Sequence, residues 1–187
     1  MDLCEDQDMK IVGSLPTKAE NDSDAVAEEF AREKESGVLD RAKELGRRMV
    51  AEYKSAGGEF AFGADENEDA NLSLQRQVLL AFVVTVGIDR YCASPLAAQT
   101  AHQRFFNDLK KDAPELYREL NENGAISFYY LAYRRGGEVE RRMGQTFAML
   151  CARDGDPVYQ ELGEALYCWF MSVVEQKSRE LGLTAPM

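Results

Sequence analysis

The chain has 187 residues, of which 45% are hydrophobic and 29% are charged, and its formal net charge is −11. This composition is typical of a soluble globular protein that is large enough to bury one hydrophobic core. Residues 1–70 hold 19 acidic and 9 basic residues, so most of the negative charge lies in the N-terminal third. Because DNA and RNA are bound largely by neutralising phosphates, nucleic-acid binding is not expected.

The sequence also argues against a membrane protein and against a disulfide-rich one. Its longest nearly continuous apolar run, Val78 to Ile88, has eleven residues, whereas a helix needs about 20 to cross a bilayer. The N-terminal residues lack the basic start and apolar stretch of a signal peptide, so a cytoplasmic location is expected. The four cysteines are scattered, which predicts reduced thiols and neither a disulfide framework nor a zinc site. They are Cys4, Cys92, Cys151 and Cys168.

The N-terminal third is predicted to contain an irregular arm followed by two helices. Pro16 disfavours a helix within residues 1–23, which are assigned to the arm, and residues 24–187 to the helical domain. Ser23 or Asp24 can cap the first helix, and Gly37 is expected to end or bend it. Residues 38–55 then repeat apolar side chains at intervals of three and four, as a helix with one buried face does.

The remaining chain reads as further helices joined by short loops. Residues 72–92 are apolar nearly all round, which predicts a central buried helix. Ser94–Pro95 and Asp112–Ala113–Pro114 have the order of a capping residue followed by proline that favours a helix start. The other predicted helices cover residues 126–133, 138–152 and 158–181, and Asp156, followed by Pro157, is predicted to cap the last of them. The sequence therefore predicts an all-α, single-domain bundle of about six to seven helices with short loops.

Motifs for metals and common cofactors are incomplete or missing. Asp65, Asn67 and Asp69 match the first ligand positions of an EF-hand loop, but Ala70 replaces its glycine and Arg76 its final glutamate. The single histidine cannot supply the two Glu-x-x-His pairs of a di-iron bundle. No phosphate-binding loop and no hydrolase motif occurs. Neither a metal nor a cofactor is expected.

The segment ISFYYLAYRRGGEVERR, residues 126–142, is the strongest candidate for binding. Its three tyrosines, Tyr129, Tyr130 and Tyr133, share one helical face beside Arg134 and Arg135, and we call this surface the Tyr–Arg face. Rings, hydroxyls and guanidinium groups together suit a small anion or an acidic partner. The alternative is a structural corner, because tyrosines pack at core boundaries and arginines are favoured at helix C-termini. In that case Glu138 and Glu140 are expected to pair with these arginines.

Two further residues complete the candidate site. His102 is suited to act as a general base or a pH sensor, although a lone histidine beside two phenylalanines is also an ordinary boundary residue. Glu164 lies one helical turn after Glu161, and such paired carboxylates serve either acid–base chemistry or a solvated surface. The candidate ligand-binding residues are His102, Tyr129, Tyr133, Arg134, Arg135 and Glu164.

Two functions are compatible with these patterns. The first is a binding or regulatory module that acts through protein–protein contacts or as a homodimer formed by the C-terminal helix, because apolar side chains there cover more than one face. They are Tyr167, Trp169, Phe170 and Met171. The second is an enzyme or a receptor for a small anionic ligand, with a pocket between helices near the Tyr–Arg face. The two differ in whether His102 and that face line one cavity.

Overall fold

A computed structural model of the chain describes residues 18–57, 70–122 and 124–185. These residues form helices and connecting turns and contain no strand, which confirms the all-α prediction. The helices are α1 (Lys18–Glu35), α2 (Val38–Gly57), α3 (Ala70–Tyr91), α4 (Pro95–Asp112), α5 (Pro114–Glu122), α6 (Ala125–Arg134), α7 (Val139–Leu150) and α8 (Pro157–Glu180). The chain divides after Ser36 into an N-terminal unit, which contains α1, and a bundle that contains α2 to α8.

Helix α1 begins at Lys18, so residues 18–23 of the expected irregular arm are helical. None of these six residues is proline or glycine, and no local signal ends a helix there. The rest of the arm, residues 1–17, lies outside the described residues. The helix ends where it was expected to, because Gly37 adopts a left-handed backbone with φ of 70°.

Helix α3 is the core of the bundle, as its apolar sequence predicts. It contacts α2, α4, α6, α7 and α8, and twelve of its residues are buried. Among the described helices it is also the one long and apolar enough to span a bilayer, although two thirds of the tested stretch is buried inside the protein. Its contacts with five other helices account for that apolar composition, since a helix at the centre of a bundle has no polar face.

Two helix pairs depend on glycines in the middle of helices. A Cβ atom at Gly46 of α2 would lie 2.5 Å from the carbonyl oxygen of Ala101 on α4. At Gly144 of α7, a Cβ atom would lie 2.2 Å from the carbonyl oxygen of Gln160 on α8. Both distances are far inside van der Waals contact with a backbone atom, so these pairs pack at a separation that only glycine permits.

Two of the predicted caps are confirmed, at α4 and α8, and two are wrong, at α1 and α5. Ser23 and Asp24 lie within α1, which begins at Lys18. The Oγ atom of Ser94 accepts a hydrogen bond from the backbone N–H of Ala97, and Asp156 caps α8 in the same way. Asp112, in contrast, is the last residue of α4 and not the cap of α5. Its carboxylate lies 2.9 Å from Lys54 Nζ of α2, and this ion pair takes the place of a capping hydrogen bond.

Candidate functional site

An open cleft of about 710 Å³ lies where the C-terminal end of α3 meets α4 and α5. Ala93 is at its rim, and the backbone N–H of Ala93 donates to the carbonyl of Leu183, which fixes the α3–α4 turn against the C-terminal segment. The twelve residues that line the cleft are Asp89, Cys92, Ala93, Pro95, Ala98, Gln99, His102, Gln103, Phe106, Asn107, Tyr117 and Asn121.

Helical spacing explains why these side chains converge. The lining residues of α4 are Pro95 and, three and four residues on in each successive turn, the pairs 98/99, 102/103 and 106/107, so they form one stripe along the helix. Tyr117 and Asn121 of α5 are four residues apart and face the same space. Because α5 follows α4 after one residue, Ala113, the two stripes form adjoining walls. Four of the lining side chains are amides that can both donate and accept hydrogen bonds.

An Asp–His pair lies at the α3 end of the cleft. The Nε2 atom of His102 lies 2.7 Å from Oδ1 of Asp89, and the two residues come from neighbouring helices, thirteen positions apart in sequence. The Nδ1 atom of His102 is buried and has no hydrogen-bond partner among the residues that the structure describes. We therefore assign the proton to Nε2, where it is donated to the carboxylate, and the lone pair to Nδ1.

Two aromatic rings form the apolar part of the cleft. The ring centroids of Phe106 and Tyr117 are 6.5 Å apart with an interplanar angle of 69°, an edge-to-face arrangement. Phe106 is held from behind by the buried ring of Phe105, whose centroid is 5.1 Å away. Lys110 Nζ lies 5.7 Å from the centroid of Tyr117, within the range of a cation–π contact.

The thiol of Cys92 is not activated for nucleophilic attack. Burial, together with the nearby charge of Asp89, raises the pKa of Cys92 to about 11, because both disfavour the thiolate. The thiol is therefore protonated at neutral pH, and the thiolate is the reactive form. In His102, one ring nitrogen is bonded to Asp89 and the other is buried, so neither is free to take a proton from a substrate.

The tyrosines predicted to bind a ligand pack instead around Phe82 of α3. Tyr129 is fully buried, and its ring stacks on Phe82 with a centroid distance of 5.5 Å. Tyr130 and Tyr133 present their edges to the same ring at 5.0 and 6.0 Å. The hydroxyl of Tyr129 is buried and has no hydrogen-bond partner within the described part of the chain. Burial raises the pKa of Tyr129 well above its ordinary value. These rings form the contact between α6 and α3.

The other predicted residues lie elsewhere on the bundle. Arg134 and Arg135 are exposed at the end of α6, and Glu164 is half-buried on α8, where it faces α7 next to Gly144. Glu138 pairs with Arg141 at 3.1 Å in the first turn of α7. Of the six predicted residues, His102 alone lines the cleft, and the Tyr–Arg face does not share it.

The acidic segment tested as an EF-hand lies mostly outside the described residues, while Arg76, at its last position, is buried in α3. Within the described residues, no three side chains of the His, Cys, Asp or Glu type are grouped so that they could hold a metal ion. Comparison of the chain with protein-family models, with curated proteins and with solved structures finds no match. The functional argument therefore depends on the cleft itself.

Proposed function

We propose that the α2–α8 bundle is a binding module for a small organic molecule and that the cleft between α3, α4 and α5 is its binding site. The shape and lining of this cleft support the proposal. Its volume of about 710 Å³ is within the range of about 300–1,000 Å³ that is usual for small-molecule sites. Aromatic rings provide the apolar surface, and the amides of Gln99, Gln103, Asn107 and Asn121 provide hydrogen bonds that fix orientation.

Binding is favoured over nucleophilic catalysis because no lining side chain is an activated nucleophile. The Cys92 thiol is held in its protonated form by the environment that raises its pKa to about 11. His102 cannot act on it as a general base while Nε2 is bonded to Asp89 and Nδ1 is buried. The cleft thus combines many hydrogen-bonding groups with no group poised to break a bond.

A thermal-shift screen against a panel of metabolites tests this proposal. A ligand present at one hundred times its dissociation constant stabilises the folded protein by about 2.7 kcal/mol, which raises Tm by about 5–10 °C in a protein of this size. The substitution Gln103→Trp fills the cleft from an exposed position and should abolish the shift. Lys111→Trp is the matched control, since it places the same side chain on an exposed position of α4 outside the cleft. A shift that survives Gln103→Trp would place the ligand elsewhere and contradict the proposal.

A second candidate function is association with a protein through the outer face of α6. Phe128 and Leu131 are one helical turn apart, and they are 49% and 59% exposed. Large apolar side chains grouped on a surface mark sites of protein contact, and the exposed Arg134 and Arg135 at the end of this helix suit an acidic partner.

Homodimer formation through α8 has less support from the surface of that helix. Tyr167, Phe170 and Met171 are buried within the bundle, and Trp169 is 37% exposed. Light scattering at micromolar concentration distinguishes the two faces. A dimer that is lost in Leu131→Ser and retained in Trp169→Ala would support a dimer contact through α6. The reverse result would support a contact through α8. A 21 kDa species alone would exclude self-association at that concentration.

A further inference from the structure

The charge of the cleft is one-sided. Asp89 is the one residue with a permanent charge among the twelve that line it, and neither lysine nor arginine is among them. Its side chain is 62% exposed, and its Oδ1 atom accepts the hydrogen bond from His102. The hydrogen bond from His102 orients the carboxylate, most of whose surface stays open to solvent.

Two basic side chains close to the cleft lie over aromatic rings. The guanidinium of Arg90 lies 5.6 Å from the ring centroid of Tyr91, next to it in sequence. Lys110 is eight residues beyond His102 on α4, which is about 12 Å along a helix. That distance exceeds the screening length of about 8 Å at physiological ionic strength, so Lys110 does not neutralise Asp89.

We propose that the cleft binds an organic cation, in which an ammonium group attached to a flat apolar body pairs with Asp89. This inference depends on the function proposed above and names the class of ligand. The cleft has a surface for each part of such a molecule. Phe106 and Tyr117 offer apolar surface to the body, and the exposed carboxylate of Asp89 can pair with the ammonium group.

Three small probes of similar shape and different charge test the inference. At neutral pH benzylamine is a cation, benzyl alcohol is neutral and benzoate is an anion. Titration of the ¹⁵N-labelled protein, followed by NMR, gives a dissociation constant for each probe and locates it through the signals of Gln99 and Asn121. We expect benzylamine to bind at least tenfold more tightly than benzyl alcohol and benzoate to bind most weakly. A tenfold difference corresponds to about 1.4 kcal/mol.

The substitution Asp89→Asn should remove this preference. We expect it to weaken the binding of benzylamine at least tenfold and to change the dissociation constant of benzyl alcohol less than twofold. Asp89→Glu retains the charge and should retain the preference for the cation. Asp108→Asn is the matched control, since it removes the same charge from α4 at a residue that pairs with Arg104 and does not line the cleft.

The outcomes separate the two proposals. Benzylamine that binds in the cleft and loses its advantage in Asp89→Asn supports the inference. If benzyl alcohol or benzoate binds in the cleft as tightly as benzylamine, the cation class is wrong while the binding site stands. If all three probes leave the signals of the cleft unchanged up to millimolar concentration, both this inference and the proposed site are wrong.

Discussion

The reactivity of Cys92 tests the claim that the cleft binds and does not catalyse. Its pKa is raised from an ordinary value of 9.0 to about 11. At pH 8 about one thiol in ten is ionised when the pKa is 9, and about one in a thousand when it is 11. A thiolate with a pKa of about 11 is more nucleophilic than one with a pKa of 9, by about six- to tenfold in thiol–disulfide exchange. We therefore expect exchange at Cys92 to be at least tenfold slower than at an ordinary thiol.

The assay is pulse labelling with a thiosulfonate reagent, followed by acid quenching and peptide mapping. Cys92 of the same protein unfolded in guanidinium provides the reference, so the reagent and the peptide are identical. In the folded protein the rate should rise about tenfold per pH unit from pH 8 to 10, whereas the unfolded chain levels off near pH 9. A purely steric barrier would slow the reaction without changing the pH at which it levels off.

The variant Asp89→Asn separates the two causes of the raised pKa. Burial is the larger cause and the charge of Asp89 is the smaller one, so the variant should recover part of the lost rate and not all of it. If Cys92 of the folded wild-type protein reacts at pH 8 as fast as the unfolded reference, its thiol is as reactive as an ordinary one. The argument against nucleophilic catalysis would then be refuted.

Three further predictions concern the bundle. Gly144→Ala should destabilise it by about 1–3 kcal/mol in chemical denaturation, because the new Cβ meets the α8 backbone at 2.2 Å. Gln145 is exposed and next to it, and Gln145→Ala should change stability by less than 0.5 kcal/mol. Equal effects of the two substitutions would contradict the packing argument. Tyr129→Phe should raise Tm, because it removes a buried hydroxyl that has no partner; a lower Tm would show that the hydroxyl is hydrogen-bonded. Hydrogen bonds from Arg47 and Arg48 lower the pKa of Glu44 from 4.5 to about 2. The contribution of Glu44 to the stability of the folded protein is therefore present above pH 4.5 and is lost as the pH falls toward 2. Glu44→Gln should therefore be less stable than wild type at pH 7 and equal to it near pH 2, and a difference that persists at low pH would contradict the assignment.

Local sequence signals predicted much of the fold. The apolar run from residue 72 to 92 identified the central helix, and the order of cap and proline located the starts of α4 and α8. Asp112 has the same local signal, but Lys54 of another helix takes its carboxylate. A cap depends on nearby residues, whereas an ion pair with α2 depends on tertiary packing that local signals do not contain.

The cleft could not be predicted from the sequence. Gln99, Gln103 and Asn107 form a polar stripe on α4, and such a stripe has the same pattern as a solvent-exposed face. It becomes a wall because α5 turns back after Ala113. His102 was singled out from the sequence, but its partner Asp89 is on a different helix and carries no motif.

In the Tyr–Arg segment the sequence predicted which side chains lie together but not what they contact. Helical spacing correctly grouped Tyr129, Tyr130 and Tyr133 on one face, yet that face contacts Phe82 within the core. The spacing of residues identifies which side chains lie together. What they lie against is decided by another helix.

The central claim, that the cleft between α3, α4 and α5 is a binding site, is tested most directly by a fragment screen that is read out by two-dimensional ¹H–¹⁵N NMR. Four lining residues carry side-chain NH₂ groups that report on the cleft directly, namely Gln99, Gln103, Asn107 and Asn121. We predict that the fragments that bind shift these four pairs of signals together and leave those of Gln145 and Gln176 unchanged. Fragments that instead shift signals on α6 or α8, with the four pairs unmoved, would contradict the account.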